Sequence, residues 1–220
     1  MDQIRHTTDG HQKRREATRE RLIAAAKSVM SETQVEAVSI DDIIQKAAVG
    51  KGSFYNHFKT KEELFYVTLD GIVADLTRQV RTVVRELDDP AEILSVGIQL
   101  HIKYAMTDPE IGRFIVNAPA SLDMFKRYAD PVVHRTIEAG IKSGRFNIQN
   151  RRLFFIMMTS STNATLLGLL ERQFEDSVAT ELATAVLLLA GLSAEEARQV
   201  ACRPLPEGDY QRNSTMRNMS

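Results

Sequence analysis

Apolar residues recur along this chain at the three- and four-residue spacing of helices, and no run of Val, Ile and Thr alternates with polar residues between turn signals. The pattern predicts an all-α protein. Leu22, Ile23, Ala26, Val29 and Met30 give one apolar face to a helix over 16–31. Ile40, Ile43, Ile44 and Ala47 repeat that spacing over 39–47, behind Ser39 and Asp42, which stand three residues apart as a capping pair does. The connection Ala48-Val49-Gly50 is short, with Val49 as an apolar plug, and a second helix is expected over 51–58 with Phe54 and Phe58 one turn apart and facing inward. Two short helices joined by a tight turn make a helix-turn-helix.

Thr60 and Glu63 form a second capping pair and open a long helix expected over 61–86. Three Asp-Pro dipeptides, at 89–90, 108–109 and 130–131, each join an N-cap residue to a proline suited to the first helical position. They predict helices over 90–106, 109–116 and 131–143, the last stopped by Gly144, with a short helix over 121–128. Two further helices, over 151–172 and 178–191, are apolar around much of their circumference, so each must bury two sides. Ser193 and Glu196 cap a last short helix, and the segment from 204 to 220 loses periodicity and is expected to be a disordered tail.

Composition bounds the function without naming it. The 220 residues, 43% of them hydrophobic, suffice for one large core or two small ones. The net charge of −1 gives no overall basic signature, so any nucleic-acid reading must rest on local pattern. One cysteine, Cys202, permits no intrachain disulfide, and with no signal or lipidation motif at the start a cytoplasmic setting is expected. The uncharged run over 153–170 approaches membrane-span length, but its polar centre, Thr159 to Asn163, points to a buried helix and no membrane partner. Before residue 16 the chain is basic and without apolar period, either a solvated tail or an arm laid along the backbone or minor groove of DNA.

With Phe54 and Phe58 turned inward, Lys51, Ser53, Tyr55, Asn56 and His57 are left to face out, and each can donate a hydrogen bond to phosphates or base edges. The run AAVGKGSFYNHFKTKEEL resembles the signature of the tetracycline-repressor (TetR) family of bacterial transcription regulators. Val49, Gly50, Lys51, Gly52, Ser53, Phe54, Tyr55, His57, Phe58 and Lys61 carry the match. Ala48 stands where the family has the turn glycine, Ile44 where it has a small alanine, and Gln34 where many members end the first helix with glycine. Alanine in a left-handed turn costs about 1 kcal/mol. The resemblance implies DNA contacts from Ser39, Lys51, Gly52, Ser53, Tyr55, Asn56, His57 and Lys61. By that likeness Tyr55, His57 and Lys61 would bind phosphate; by their own chemistry Lys51 suits the acceptor edge of guanine and Asn56 an adenine edge, unless Asn56 makes only a phosphate or water contact. It also implies that 61–86 is a lever between two domains, and that the helices over 151–172 and 178–191 form a four-helix bundle with a second copy.

Catalytic and metal chemistry find little support. His101, His134 and Cys202 lie far apart with no metal-binding spacing, Gly50-Lys51-Gly52-Ser53 has the wrong order for a phosphate loop, and no Ser/His/Asp constellation is recognisable. Asn163-Ala164-Thr165 is a formal glycosylation sequon inside an apolar helix. What remains is a candidate cavity lined by His101, Tyr104, Phe114, Phe125, Tyr128, His134, Phe155, Met158, Thr162 and Asn163. Such residues are more often core than ligand contacts, yet a few polar groups among apolar helices suit a small apolar or aromatic molecule.

The expectation is a non-enzymatic, ligand-responsive transcriptional regulator without cofactor or metal, most simply a homodimeric repressor released from palindromic operator DNA by a small-molecule effector. Residues 1–60 would hold the N-terminal arm and DNA-binding domain, and 61–203 the helical ligand-binding and dimerisation domain. The rivals are an all-α binding or enzymatic module whose helix-turn-helix no longer reads DNA, and a DNA-binding dimer controlled by a protein partner.

Overall fold

The computed structural model describes residues 3–118 and 131–206, and the described residues contain helices and no strand. The helices are α1 Gln3–Glu32, α2 Ile40–Ala47, α3 Lys51–Tyr55, α4 Lys61–Val84, α5 Pro90–Thr107, α6 Pro109–Val116, α7 Pro131–Lys142, α8 Arg151–Leu170, α9 Val178–Leu189 and α10 Ala194–Ala201. A single 3₁₀ turn, Val35–Ala37, lies between α1 and α2. The all-α architecture thus follows the apolar spacing. The helix expected over 121–128 and the tail from 207 onward lie outside the described residues.

The chain divides into two compact units, Met1–Ile72 with Arg113–Pro119, and Val73–Gly112 with Ala120–Ser220. Helix α4 contributes its first half to one and its second half to the other. In the first unit Leu22, Ala26, Met30, Ile43, Phe54, Phe58, Leu64 and Phe65 are buried and form the core. Phe114 stacks on Phe65 with ring centroids 5.3 Å apart, and Asn117 donates to the carbonyls of Met30 and Ser31, holding the end of α1.

Two expectations need correction here. The segment before residue 16 is helical, continuing α1 back to Gln3. It needs no apolar stripe to do so: Gln12 donates to Glu16 and the Thr18 hydroxyl to the Arg14 carbonyl, four residues apart on an exposed surface. The second helix of the motif ends at Tyr55, three residues short of the expected 58, because the Phe54 carbonyl accepts from both His57 and Phe58 and tightens the chain into a turn.

In the second unit α5 is the central element, packed by α7, α8, α9 and α10. Its buried Gln99 donates to the Ser95 hydroxyl and the Ala201 carbonyl, both at 3.1 Å, and accepts from Thr180, tying α5 to α9 and α10. Arg145 bonds both oxygens of Asp89, the N-cap of α5, at 2.9 Å, and reaches Glu196 on α10. Its hydrogen bonds to Asp89 and then Glu196 hold the guanidinium pKa above its ordinary value. The Arg145 hydrogen bond likewise holds the Asp89 carboxyl below the usual range, against the opposing effect of burial.

The helix ends are set locally. Arg172, with φ of 58°, closes α8 two residues earlier than expected, and Gly144 and Gly191 take φ of 75° and 101° after α7 and α9. Helix α8 is long and apolar enough to cross a membrane by length and composition, but its buried residues, Phe154, Phe155, Met158, Thr162, Leu166 and Leu169 among them, make it a core helix of this unit.

Candidate nucleic-acid interface

The start of α2 is fixed by a complete capping box. The Ser39 hydroxyl accepts from the Asp42 amide at 3.1 Å, and the Asp42 carboxylate accepts from the Ser39 amide at 2.9 Å. The Ser39 hydroxyl also donates to that carboxylate, which lies below its ordinary pKa first through this bond and then through the backbone one. Ser39 is exposed but already engaged. At the other end of α2, Ala48 takes φ of 50° and ψ of 50°, the left-handed conformation that glycine would adopt without strain. Its amide donates to the carbonyls of Gln45 and Ile44, and Arg21 of α1 donates to the carbonyls of Ala47 and Ala48 at 2.5 and 2.8 Å. These charge-assisted bonds offset the strain of a left-handed alanine.

The turn leads into α3, whose Phe54 is fully buried, with Tyr55 set edge-on against it, ring centroids 5.4 Å apart, and still 51% exposed. Lys51, Gly52 and Asn56 are exposed, and Ser53 and His57 half-buried. Apart from its chain neighbours and its own helix backbone, nothing lies within 4 Å of where a Cβ on Gly52 would stand, so backbone there is open to a close approach. The expected donor surface is therefore assembled on one short helix and its following turn. Lys51 pairs with Asp41 at 3.2 Å, a contact between two largely exposed groups that a stronger anion can displace. Partial burial first, then the charges of Arg15 and Arg19, hold the His57 pKa below the usual histidine value. The Arg19 guanidinium lies 5.5 Å over the Phe58 ring, so α1 brings two cations toward this turn.

Lys61, the first residue of α4, is placed differently. Its ammonium donates to the carbonyls of Val35, Glu36 and Val38 at 3.1, 2.9 and 2.7 Å. Neither this brace nor that of Arg21 has a signal in the sequence, since the partners lie 23 to 27 residues away.

The ligand candidates are brought together only in part. His134 on α7 is exposed and stacks on buried Phe155 of α8, centroids 5.5 Å apart and rings 12° from parallel. Met158 and Thr162 are buried on the same helix, but the Thr162 hydroxyl donates to the Met158 carbonyl at 2.8 Å, so its burial creates no demand for a ligand partner. Asn163 and His101 are half-buried. Tyr104 packs against the buried cluster that includes Leu76, Val80, Val83, Val84, Val96 and Leu100, and its pKa is pushed up to about 12, by burial first and then by Asp75 and Asp108. Phe114 stacks on Phe65 in the core of the first unit. Phe125 and Tyr128 lie outside the described residues. Among the described residues no group of three His, Cys, Asp or Glu could hold a metal.

Two family models match the chain. One, for bacterial regulatory proteins of the tetR family, covers residues 22–66, and the other, for a tetracyclin repressor-like C-terminal domain, covers 89–203. The crystal structure of RolR in complex with resorcinol is 31% identical, with a TM-score of 0.70, covering 89% of this chain and 98% of that one. The transcriptional activator FasR of Mycolicibacterium smegmatis is 28% identical over 106 residues, 48% of each chain. The TetC protein of transposon Tn10 from Escherichia coli is 46% identical over 48 residues, 22% of this chain and 24% of that protein. The alignments thus span about half of FasR and about a quarter of TetC.

Proposed function

The chain belongs to the TetR family of bacterial regulators, and from that premise we propose that it is a ligand-responsive, DNA-binding transcriptional regulator, not an enzyme. The observation that carries the reading is the first unit's motif: a fully capped α2, a left-handed turn braced by Arg21, and a short α3 that buries Phe54 while leaving Lys51, Gly52, Ser53, Tyr55, Asn56 and His57 toward solvent or half-buried. In this proposal Tyr55 and His57 donate to phosphate oxygens, Gly52 and Ser53 allow close backbone approach, and Lys51 and Asn56 reach base edges. Ser39, whose hydroxyl keeps one lone pair beyond its cap, stands at the N-terminus of α2, where an anion is favoured.

The proposed assembly is a cytoplasmic homodimer on a palindromic operator. Leu153, Met157 and Leu167 are exposed along one stripe of α8, with exposed Ser160 and Ala164 between them, and Leu188 and Leu189 are exposed on α9. An apolar strip of that extent on two helices suits a self-complementary interface. Leu182, by contrast, is buried within its own subunit. Leu189→Glu is therefore expected to give monomers in sedimentation equilibrium with the second unit still folded, and a variant that stays dimeric removes α9 from the interface.

For the effector we propose a small hydroxylated aromatic, bound in the second unit among α5, α7 and α8. The support is the likeness to RolR, whose structure holds resorcinol, together with the stacked pair His134 and Phe155 and neighbouring Met158. The proposed sign is repression, with DNA released when effector binds. Calorimetry with resorcinol tests the class: saturable binding to the wild type that His134→Ala weakens supports it, and no heat at millimolar resorcinol refutes it.

A further inference from the structure

Lysine carries a compact ammonium with three N–H donors and no acceptor, so the acceptors that surround it in a folded protein define how much of it is left for anything else. In the first unit the Lys61 ammonium faces three backbone carbonyls, Val35 at 3.1 Å, Glu36 at 2.9 Å and Val38 at 2.7 Å, one acceptor for each N–H. Those carbonyls belong to the 3₁₀ turn Val35–Ala37 and its C-cap residue Val38. The side chains of Val35 and Val38 are buried, while the turn's own hydrogen bonds, Ala37 to Gln34 at 3.0 Å and Val38 to Val35 at 3.3 Å, are few and in part long. Val38 is followed at once by Ser39, the N-cap of α2. The lysine that opens α4 thus grips the chain one residue before the helix-turn-helix begins.

We infer that Lys61 is a positioning residue for DNA recognition, fixing the 35–38 turn and with it the start of α2, and that it is not a phosphate contact. The inference rests on the DNA-binding reading above but reverses the role that its place in the family pattern implied. A phosphate oxygen could take a Lys61 donor only by displacing one of three carbonyls, each of which would then lose its charged partner. Arg21 provides a parallel, since it braces the other end of α2 through the Ala47 and Ala48 carbonyls. Two cations of the reading unit are therefore engaged internally, on either side of the same helix.

Two measurements on the full chain decide the matter. In the free protein, amide hydrogen exchange at Ala37 and Val38 is expected to quicken by about tenfold or more in Lys61→Met, while buried amides of α4 at Phe65 and Leu69 keep their rates. Unchanged exchange at 37 and 38 overturns the brace. With DNA, fluorescence anisotropy compares a selected operator duplex with a scrambled duplex of equal length across salt, under conditions where the variant is folded. The positioning role predicts that Lys61→Met loses about tenfold on the operator, much less on scrambled DNA, and keeps the wild-type slope of log K against log salt. A slope shallower by about one, with equal weakening on both duplexes, is the signature of a lost phosphate contact and overturns the inference. Unaltered discrimination between the duplexes overturns it as well, since mere loss of stability would leave that ratio alone. Should Lys61→Met fail to fold, Lys61→Gln, which keeps a shorter donor, is read by the same criteria. If the wild type binds neither duplex in a salt-dependent way, the DNA-binding reading fails, and the exchange measurement still decides whether Lys61 braces the turn.

Discussion

The two units differ in how far apart in sequence their important residues lie. In the first, the donor surface comes from a single stretch, Lys51 to His57, held by a cap between residues three apart and a turn of three residues. In the second, the paired His134 and Phe155 come from different helices, Tyr104 from a third, and the ion-pair cluster joins Asp89, Arg145 and Glu196 across more than a hundred residues. A local constellation writes its chemistry into spacing, whereas a distributed one leaves only composition behind. The first unit could therefore be assigned roles residue by residue, and the second only a class of ligand.

The sharpest way to separate the units is to break one core at a time. Phe54 is fully buried beneath α3, so Phe54→Ala is expected to destabilise the first unit by about 3–5 kcal/mol. Thermal unfolding should then show an early transition with operator binding lost, while resorcinol binding persists. A single unaltered transition would contradict the separate core assigned to the motif. In the second unit, a Cβ on Gly140 would come within 2.4 Å of two atoms of the Phe146 ring, one of them closer still. Gly140→Ala should destabilise that unit by about 1–3 kcal/mol through overpacking, seen as a lower midpoint in urea, with the first unit's exchange protection unchanged.

A third test uses pH. The Asp89 carboxyl is held below its ordinary range by Arg145, and both side chains are about a quarter exposed. A depressed carboxyl contributes stability that is fully present above the unfolded value of about 4 and is lost as pH falls through the lower folded value. Arg145→Gln should accordingly cost roughly 1–3 kcal/mol at neutral pH, and the gap to the wild type should close under acid conditions. A gap that widens toward low pH would mean that Asp89 is not the partner that matters. The smallest effect belongs to the turn: Ala48→Gly removes left-handed strain but adds unfolded-state entropy, so a net gain under about 1 kcal/mol is expected in the first unit's melting. A loss of stability there would show that the Arg21 bonds already remove the strain.

Much of the fold was legible because helices announce themselves by period and by caps. Ser39, Asp89 and Ser193 all accept the amide bonds their positions implied, and α6 has the expected bounds. The helical segment before residue 16 was not legible, since a polar sequence has no apolar stripe to reveal a helix. The early end of α3 was equally hidden, because it depends on how one carbonyl is shared. For the donor surface, spacing showed which residues turn outward, though Ser53 and His57 are half-buried, but not their engagements: Lys51 with Asp41, and Lys61 with three carbonyls. The candidate pocket was the least legible. Phe114 stacks on Phe65 in the first unit, a partner 49 residues away that no spacing announced. Thr162 looked like a polar group in need of a partner, yet its own helix supplies one.

The account stands on the claim that this chain binds a specific duplex and that an aromatic effector opposes that binding. The direct measurement is anisotropy of a fluorescent operator, selected from a random duplex pool, titrated with protein across salt and with or without resorcinol. The account predicts that log K falls linearly and steeply with log salt, and that resorcinol weakens binding by a coupling of about 1–3 kcal/mol, matched by an equal loss of resorcinol affinity on the operator-bound protein. A flat salt dependence with no duplex enriched over the starting pool would contradict it.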